Sequence, residues 1–228
     1  MRVYIGSDSR ERRAYAVAEK SLRRRASIPV EVTPLCANRL AATGLLNRPT
    51  DHRGGLYDLH SNAPASTEFA ISRFLVPHLA QAGWVLFVDS DVVFLADVAE
   101  LFALADPQYA VMVVKHRYEP ATGTKMDGQV QTAYPRKCWS SVMLVNASHP
   151  ANDRLSLWDV NQRPGRYLHG FGWLNDREIG CLPREWNWLV GETPMPLEPK
   201  LAHFTAGTPD MPGLEGCAHA DIWLKEAQ

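Results

Sequence analysis

The sequence lacks long apolar runs, a secretory signal pattern and an excess of charge of one sign. No segment approaches the roughly 18 consecutive apolar residues of a membrane-spanning helix, so we expect no membrane span. The first residues show no charged stretch followed by an apolar one, which favours a cytoplasmic protein. The formal net charge of -1 gives no general attraction for nucleic acid, so we expect no such partner. A bound polyanion must then be held by a local group of residues.

Cysteine is scarce as well, with four residues and no C-x-x-C spacing among them. This pattern argues against a zinc knuckle or a dense disulfide framework, and it favours reduced thiols. Hydrophobic residues make up 46% of the chain and charged residues 21%, which is typical of an ordinary globular protein. A chain of 228 residues can fill one core well, so we expect a single domain over residues 1–228.

The opening of the chain predicts a strand-helix-strand unit. We expect a strand at residues 2–6, a helix that begins at polar caps within residues 7–9 and ends at Arg25, and a second strand at 29–33. Such a unit predicts an α/β fold with a parallel sheet. Residues 35–65 carry many turn-forming residues and predict a long loop with little regular structure.

The middle and the end of the chain alternate helical and strand-like patterns. A helix is expected from residue 66 or 67 to about 82, bent by Pro77 and ended by Gly83. Residues 84–88 form a continuous apolar run, which is typical of a strand buried on both faces. Further elements are expected as a helix at 97–104, strands at 109–114 and 142–145, an active-site flap at 115–137, and a last strand at 200–203 that rejoins the sheet edge.

An acidic pair follows the apolar run directly. Asp89 and Asp91 are two residues apart, so in an extended segment both side chains point to the same side and can bind a hard cation. A D-x-D pair alone is a weak signal, because such acids also cap turns. Here apolar residues flank the pair on both sides, so the two charges lie near a buried region where a cation would compensate them. His203 is a candidate third ligand, and an imidazole favours Mn²⁺ over Mg²⁺.

A cation at this place suits a nucleotide-sugar donor. The diphosphate gains negative charge as the sugar bond breaks, and a metal ion that binds its oxygens stabilises that charge. The carboxyl end of a buried strand is also where α/β sheets commonly bind ligands.

Several segments in this order resemble family-8-type retaining glycosyltransferases: residues 4–8, Tyr15 with 21–22, 72–77, 88–91 and 203–205. The resemblance implies a Rossmann-like A-type glycosyltransferase domain with a mostly parallel mixed central sheet flanked by helices. It also implies transfer of a hexose from a UDP-sugar, with retention, to an acceptor that could be a carbohydrate, a lipid-linked molecule or a protein. Mn²⁺ or Mg²⁺ would be the cofactor.

The resemblance also assigns roles to individual residues. Ser7, Asp8 and Tyr15 would flank the base and ribose, and Arg73 would face the diphosphate or the donor sugar. The remaining candidates are Ser90 and Gly207 for donor binding, and Asp89, Asp91 and His203 as metal ligands.

The candidate catalytic residues lie together at Asp176, Arg177 and Glu178, in a segment that resembles the acceptor side of the family's site. Arg177 stands where the family usually has glutamine, and Trp139 stands where asparagine is common. These two differences keep open a non-catalytic module that binds a nucleotide sugar.

A second enzyme class also remains open. Residues 89–93 match the D-x-D-x-V pattern of haloacid-dehalogenase-type phosphatases, in which Asp89 would be the nucleophile. Those enzymes generally begin with that strand, whereas here a strand-helix-strand unit precedes it. The sequence therefore favours the glycosyltransferase.

Overall fold

A computed structural model describes residues 1–52, 55–117 and 136–228. The strands of this part are β1 (Arg2–Ser7), β2 (Glu31–Cys36), β3 (Thr50–Asp51), β4 (Tyr57–Asp58), β5 (Ala63–Pro64), β6 (Trp84–Val88), β7 (Val92–Phe94), β8 (Val111–Val113), β9 (Val142–Asn146), β10 (Ile179–Cys181), β11 (Trp188–Leu189) and β12 (Leu201–His203). The α-helices are α1 (Arg12–Arg25), α2 (Ala37–Ala42), α3 (Val76–Ala80), α4 (Val98–Phe102), α5 (Leu157–Gln162), α6 (Gly165–His169) and α7 (Ala220–Ala227).

The central sheet has six strands in the order β10-β8-β9-β6-β1-β2. β9 runs antiparallel to both of its neighbours, and the other neighbouring strands pair in parallel. The sequence prediction of an α/β fold with a mostly parallel mixed sheet is confirmed. β6 lies inside this sheet, as its apolar run predicts.

Both faces of β6 are buried. Val85 and Phe87 belong to one hydrophobic cluster, whereas Leu86 and Val88 belong to another. Because side chains alternate along a strand, these two clusters cover opposite faces of the sheet. The strand therefore ends in a region closed on two sides, and the acidic pair leaves it there.

A second sheet contains β11, β12 and β7, and the strand predicted at 200–203 belongs to it. The expectation that this strand rejoins the edge of the central sheet is therefore wrong. The backbone leaves the central sheet after β6, and β7 then pairs antiparallel with β12, with His203 opposite Val92. This pairing carries the C-terminal part of the chain back to the acidic pair.

Three helices are shorter than the sequence predicts, and the one expected at 97–104 is α4 (Val98–Phe102). α1 begins at Arg12, because the Asp8 carboxylate accepts from the backbone N–H groups of Arg10 and Glu68 instead of capping a helix at residues 7–9. The helix expected over 66–82 is a 3₁₀ turn at Ser72–Leu75 followed by α3. Pro77 lies in the first turn of α3, where its missing N–H costs little.

Other boundaries also differ. β2 starts at Glu31 instead of residue 29, and residues 35–65 contain α2 and a small sheet in the order β3-β4-β5. Most of the expected flap lies outside the described residues, at 118–135. Within the described ranges, no helix combines the length and the apolar character needed to cross a bilayer.

Candidate functional site

Asp89, Asp91 and His203 come together although His203 lies 112 positions after Asp91 in the sequence. Each offers one ligand atom, and these atoms lie within 4.8 Å of one another. His203 Nε2 is 3.2 Å from Asp91 Oδ1. Two carboxylates and one imidazole form a donor set that can hold a divalent cation.

Asn187 orients the imidazole of His203. Its Oδ1 lies 2.9 Å from His203 Nδ1, and its Nδ2 donates to Ser141 Oγ at 2.9 Å. Because Oδ1 can only accept, His203 Nδ1 donates to it, and this contact turns Nε2 toward Asp91. Sequence reasoning missed Asn187, which lies between two core tryptophans and carries no motif.

Arg73 is buried beside the acidic pair. Its Nη1 is 2.7 Å from Asp89 Oδ1 and donates to the carbonyl oxygen of Ser140 at 3.0 Å. The guanidinium also lies over the rings of Phe69 and Phe87, with centroid distances of 5.3 and 5.1 Å. Arg73 therefore compensates the charge of Asp89 and limits its movement.

Ser90, between the two acids, points to a buried carboxyl group that sequence reasoning also missed. Its hydroxyl donates to Glu11 Oε2 at 2.8 Å, and Glu11 is only 5% exposed. Burial, followed by the nearby charge of Asp91, raises the pKa of Glu11 to about 8. The one feature of the sequence that could have pointed to Glu11 is its position three residues after Asp8.

The three candidate metal ligands share one cavity of about 390 Å³ with Glu11 and Arg73, whereas Ser90 and Asn187 do not line it. Of the residues predicted to bind donor or metal, Arg73, Asp89, Asp91, His203 and Gly207 line it. Gly207 has a φ of 123°, and a Cβ there would lie 2.4 Å from Leu214 Cδ1, so the position requires glycine.

Ser7 and Asp8 line a different cavity, of about 430 Å³, next to the ends of β1 and β2. The buried Asp8 carboxylate accepts from the backbone and guanidinium of Arg10, at 2.8 to 3.0 Å. Burial alone would raise the pKa of Asp8, but these hydrogen bonds outweigh it and lower the pKa. Tyr15 lines neither cavity and packs against the core, where burial raises its pKa.

The predicted catalytic residues form a 3₁₀ turn at Asp176–Glu178, and none of them lines either cavity. Asp176 pairs with Arg136, and its side chain is 88% exposed. Glu178 accepts from the backbone N–H of Asn175 at 2.7 Å and pairs with Arg154. A catalytic role for these residues stays a prediction, and the contacts in the structure are those of a capped turn.

His169 forms part of the cavity wall beside Arg73. Its Nδ1 lies 2.8 Å from Ser140 Oγ, and its ring meets Phe74 edge to face. Burial, followed by the charge of Arg73, lowers the pKa of His169 to about 3. Burial, followed by His203, lowers the pKa of His116 to about 4. Both imidazoles are therefore neutral in the folded protein near pH 7.

Acid should destabilise the protein as the pH falls from about 6.5 towards 3. In this range His169 and His116 are protonated in the unfolded chain but stay neutral in the folded protein. The free energy of unfolding therefore decreases as the pH decreases. Each group contributes a slope of at most about 1.4 kcal/mol per pH unit. Urea unfolding at several pH values should show a smaller slope for His169→Gln, whereas the exposed His52→Gln should keep the parent slope. An unchanged slope in His169→Gln would contradict the assignment.

Comparisons with solved structures give the fold. The galactosyltransferase LgtC, solved with donor and acceptor sugar analogs, matches with a TM-score of 0.61 at 16% identity, over 100% of this chain and 95% of that one. Mouse xyloside xylosyltransferase 1 matches with a TM-score of 0.53 at 12% identity, over 89% and 96%. The glycosyltransferase GlyE of Streptococcus pneumoniae TIGR4 matches with a TM-score of 0.58 at 13% identity, and the chain spans 99% of its own length but 60% of GlyE. The fold is that of the A-type glycosyltransferases.

Sequence comparison adds a much nearer relative. Protein CDI of Arabidopsis thaliana is 46% identical over 233 residues, which cover 100% of this chain and 86% of the relative. No protein-family model matches the chain.

Proposed function

The chain belongs to the family of Protein CDI, and from that premise we propose that it is a metal-dependent glycosyltransferase that uses a UDP-sugar. The name of the relative states no activity, so the proposal rests on the site and on the fold. One observation carries it: Asp89, Asp91 and His203 gather at the carboxyl end of β6, in an A-type fold. Ligands of α/β sheets commonly bind at that edge.

The residues fit a divalent cation. Asp89, Asp91 and His203 would hold it, and the imidazole favours Mn²⁺. When bound, the ion would neutralise the charge that develops on the diphosphate leaving group. The chain itself preorganises these ligands, because Arg73 holds Asp89 and Asn187 holds the ring of His203.

The remaining parts of the proposal rest on the sequence resemblance. They are transfer of a hexose with retention, and contact of Ser7, Asp8 and Tyr15 with the nucleoside. Ser7 and Asp8 line the cavity beside β1, which supports this contact. Tyr15 would require a rearrangement to reach it. The acceptor, whether carbohydrate, lipid-linked or protein, would enter the cavity that contains the metal group.

Calorimetric titration of UDP, and separately of GDP, tests the proposal with metal-free protein and with Mn²⁺. We expect UDP to bind tightly only with Mn²⁺ and more tightly than GDP. Release of sugar from a UDP-sugar, to water or to an acceptor, would separate an enzyme from a non-catalytic binding module. Absence of nucleotide binding under all conditions would overturn the proposal, and hydrolysis of phosphate esters would then favour the phosphatase alternative.

A further inference from the structure

Lys137 is a buried lysine in the wall of the cavity that contains the metal group. It is 5% exposed and lies on the lining together with Asp89, Asp91 and His203. Lysine is rarely buried to this degree, because removing an ammonium group from water is costly. The burial of Lys137 therefore indicates a specific role, which an exposed lysine would not.

The turn that carries Lys137 is strained on both sides. Arg136 and Cys138 each have a φ of 63°, in the left-handed region that residues with a Cβ seldom adopt. Each such residue costs on the order of 1 kcal/mol, and strain of this kind persists only where surrounding contacts impose it.

Contacts around the turn impose this conformation. The carbonyl oxygen of Cys138 accepts from Ser141 Oγ at 2.7 Å and from Asn187 Nδ2 at 3.4 Å. Arg136 donates to the carbonyl oxygen of Gly170 at 2.6 Å and lies over the ring of Trp139. Asn187 also orients His203, so one residue holds both the Lys137 turn and a candidate metal ligand.

The charges of the cavity indicate what Lys137 binds. In the described part of the chain, the lining carries the cationic side chains of Arg73, Lys137 and Arg166. Arg73 and Lys137 are buried, whereas Arg166 is exposed. As the sugar leaves, the diphosphate comes to carry more negative charge than one divalent cation neutralises. Lys137 is, with Arg73, one of the two buried cations of this lining that can meet the rest.

We propose that Lys137 is an anion-binding residue of this cavity and that its ammonium group contacts the diphosphate of the donor. The inference rests on the proposed function, and it assigns the diphosphate contact to one residue at the end of the flap expected at 115–137. A charged hydrogen bond of this kind contributes about 10- to 100-fold to affinity. The strained turn preorganises the lysine, so little of that affinity is lost in ordering the side chain.

The test compares Lys137→Met, Lys137→Arg and the parent in calorimetric titrations with UDP and with inorganic pyrophosphate, at saturating Mn²⁺. Methionine keeps an unbranched side chain and removes the charge, whereas arginine keeps the charge. Lys137→Met should weaken both ligands about 10- to 100-fold, with Mn²⁺ affinity unchanged, and Lys137→Arg should restore part of the loss. Lys115→Met is the matched control, because the Lys115 amine donates to the carbonyl oxygen of Ile179 outside the cavity.

Three results would overturn the inference. If Lys137→Met binds both ligands as tightly as the parent does, Lys137 does not bind the diphosphate, and the proposed function is unaffected. A changed Mn²⁺ affinity with an unchanged UDP affinity at saturating metal would mean that Lys137 only balances the carboxylates. If the parent binds neither ligand, the proposed function fails together with the inference, and this outcome is distinct from the other two.

Discussion

Asp91→Asn should weaken Mn²⁺-dependent binding of UDP by at least about 100-fold and leave the protein folded. The substitution keeps the shape of the side chain but removes one of the two carboxylate charges of the metal group. Asp91 also faces His203 Nε2 at 3.2 Å, so its loss affects a second candidate ligand. The backbone carbonyl oxygen of Asp91, which accepts from Phe204 N–H at 2.8 Å, is unaltered, so β7 and β12 should remain paired.

Calorimetric titration measures this effect, with Asp153→Asn as the control because Asp153 is an exposed acid outside the cavity. Near-ultraviolet circular dichroism would verify that the packing is intact. Equal Mn²⁺-dependent affinity in Asp91→Asn and the parent would contradict the metal assignment, since an amide cannot replace the charge of a carboxylate. A loss of affinity in the control as well would point to a general effect of charge.

Arg48→Met should cost about 3–5 kcal/mol of unfolding free energy. The Arg48 and Asp58 side chains are only 3% and 4% exposed. They pair through two bonds, from Nε to Oδ1 at 2.8 Å and from Nη2 to Oδ2 at 2.7 Å. Burial would raise the pKa of Asp58, yet the hydrogen bonds, chiefly from Arg48, lower it, so the acid stays charged. Removing Arg48 leaves that charge buried without its main partner.

Urea unfolding at neutral pH measures the loss, and two further variants define its cause. Arg23→Met removes the exposed pair with Glu19 and should cost less than about 1 kcal/mol. The double variant Arg48→Met with Asp58→Asn should recover part of the stability, because the stranded charge is gone. A loss below 1 kcal/mol in Arg48→Met alone would show that water or another group already compensates Asp58.

Elements that depend on neighbouring residues are predicted well from the sequence, whereas those that depend on distant residues are not. The apolar run at residues 84–88 predicts a buried strand, and β6 has these bounds, because such a run is stable only between two covered faces. The helix start was wrong by several residues, since Asp8 bonds to Glu68, which is distant in sequence. Capping signals near Asp8 could not reveal that partner.

The candidate site shows the same division. The sequence offers His203 as a third ligand, but neither the strand that pairs with β12 nor the partner Asn187 is visible there. Glu11 and Lys137 reach the cavity only because α1 and a strained turn converge on it. Conversely, the acidic turn at Asp176–Glu178 resembles a catalytic segment, yet its side chains lie outside the cavity.

The sequence by itself determined the α/β class, the buried strand β6 and the acidic pair at its end. These features depend on the spacing of residues that are neighbours in the chain, where periodicity and burial act directly. Tertiary structure decided which distant residues complete the site. The pairing of β7 with β12 and the contacts of Asn187 with Cys138 and Ser141 depend on long-range packing. No local pattern specifies such contacts, since each depends on the whole core that brings the two segments together.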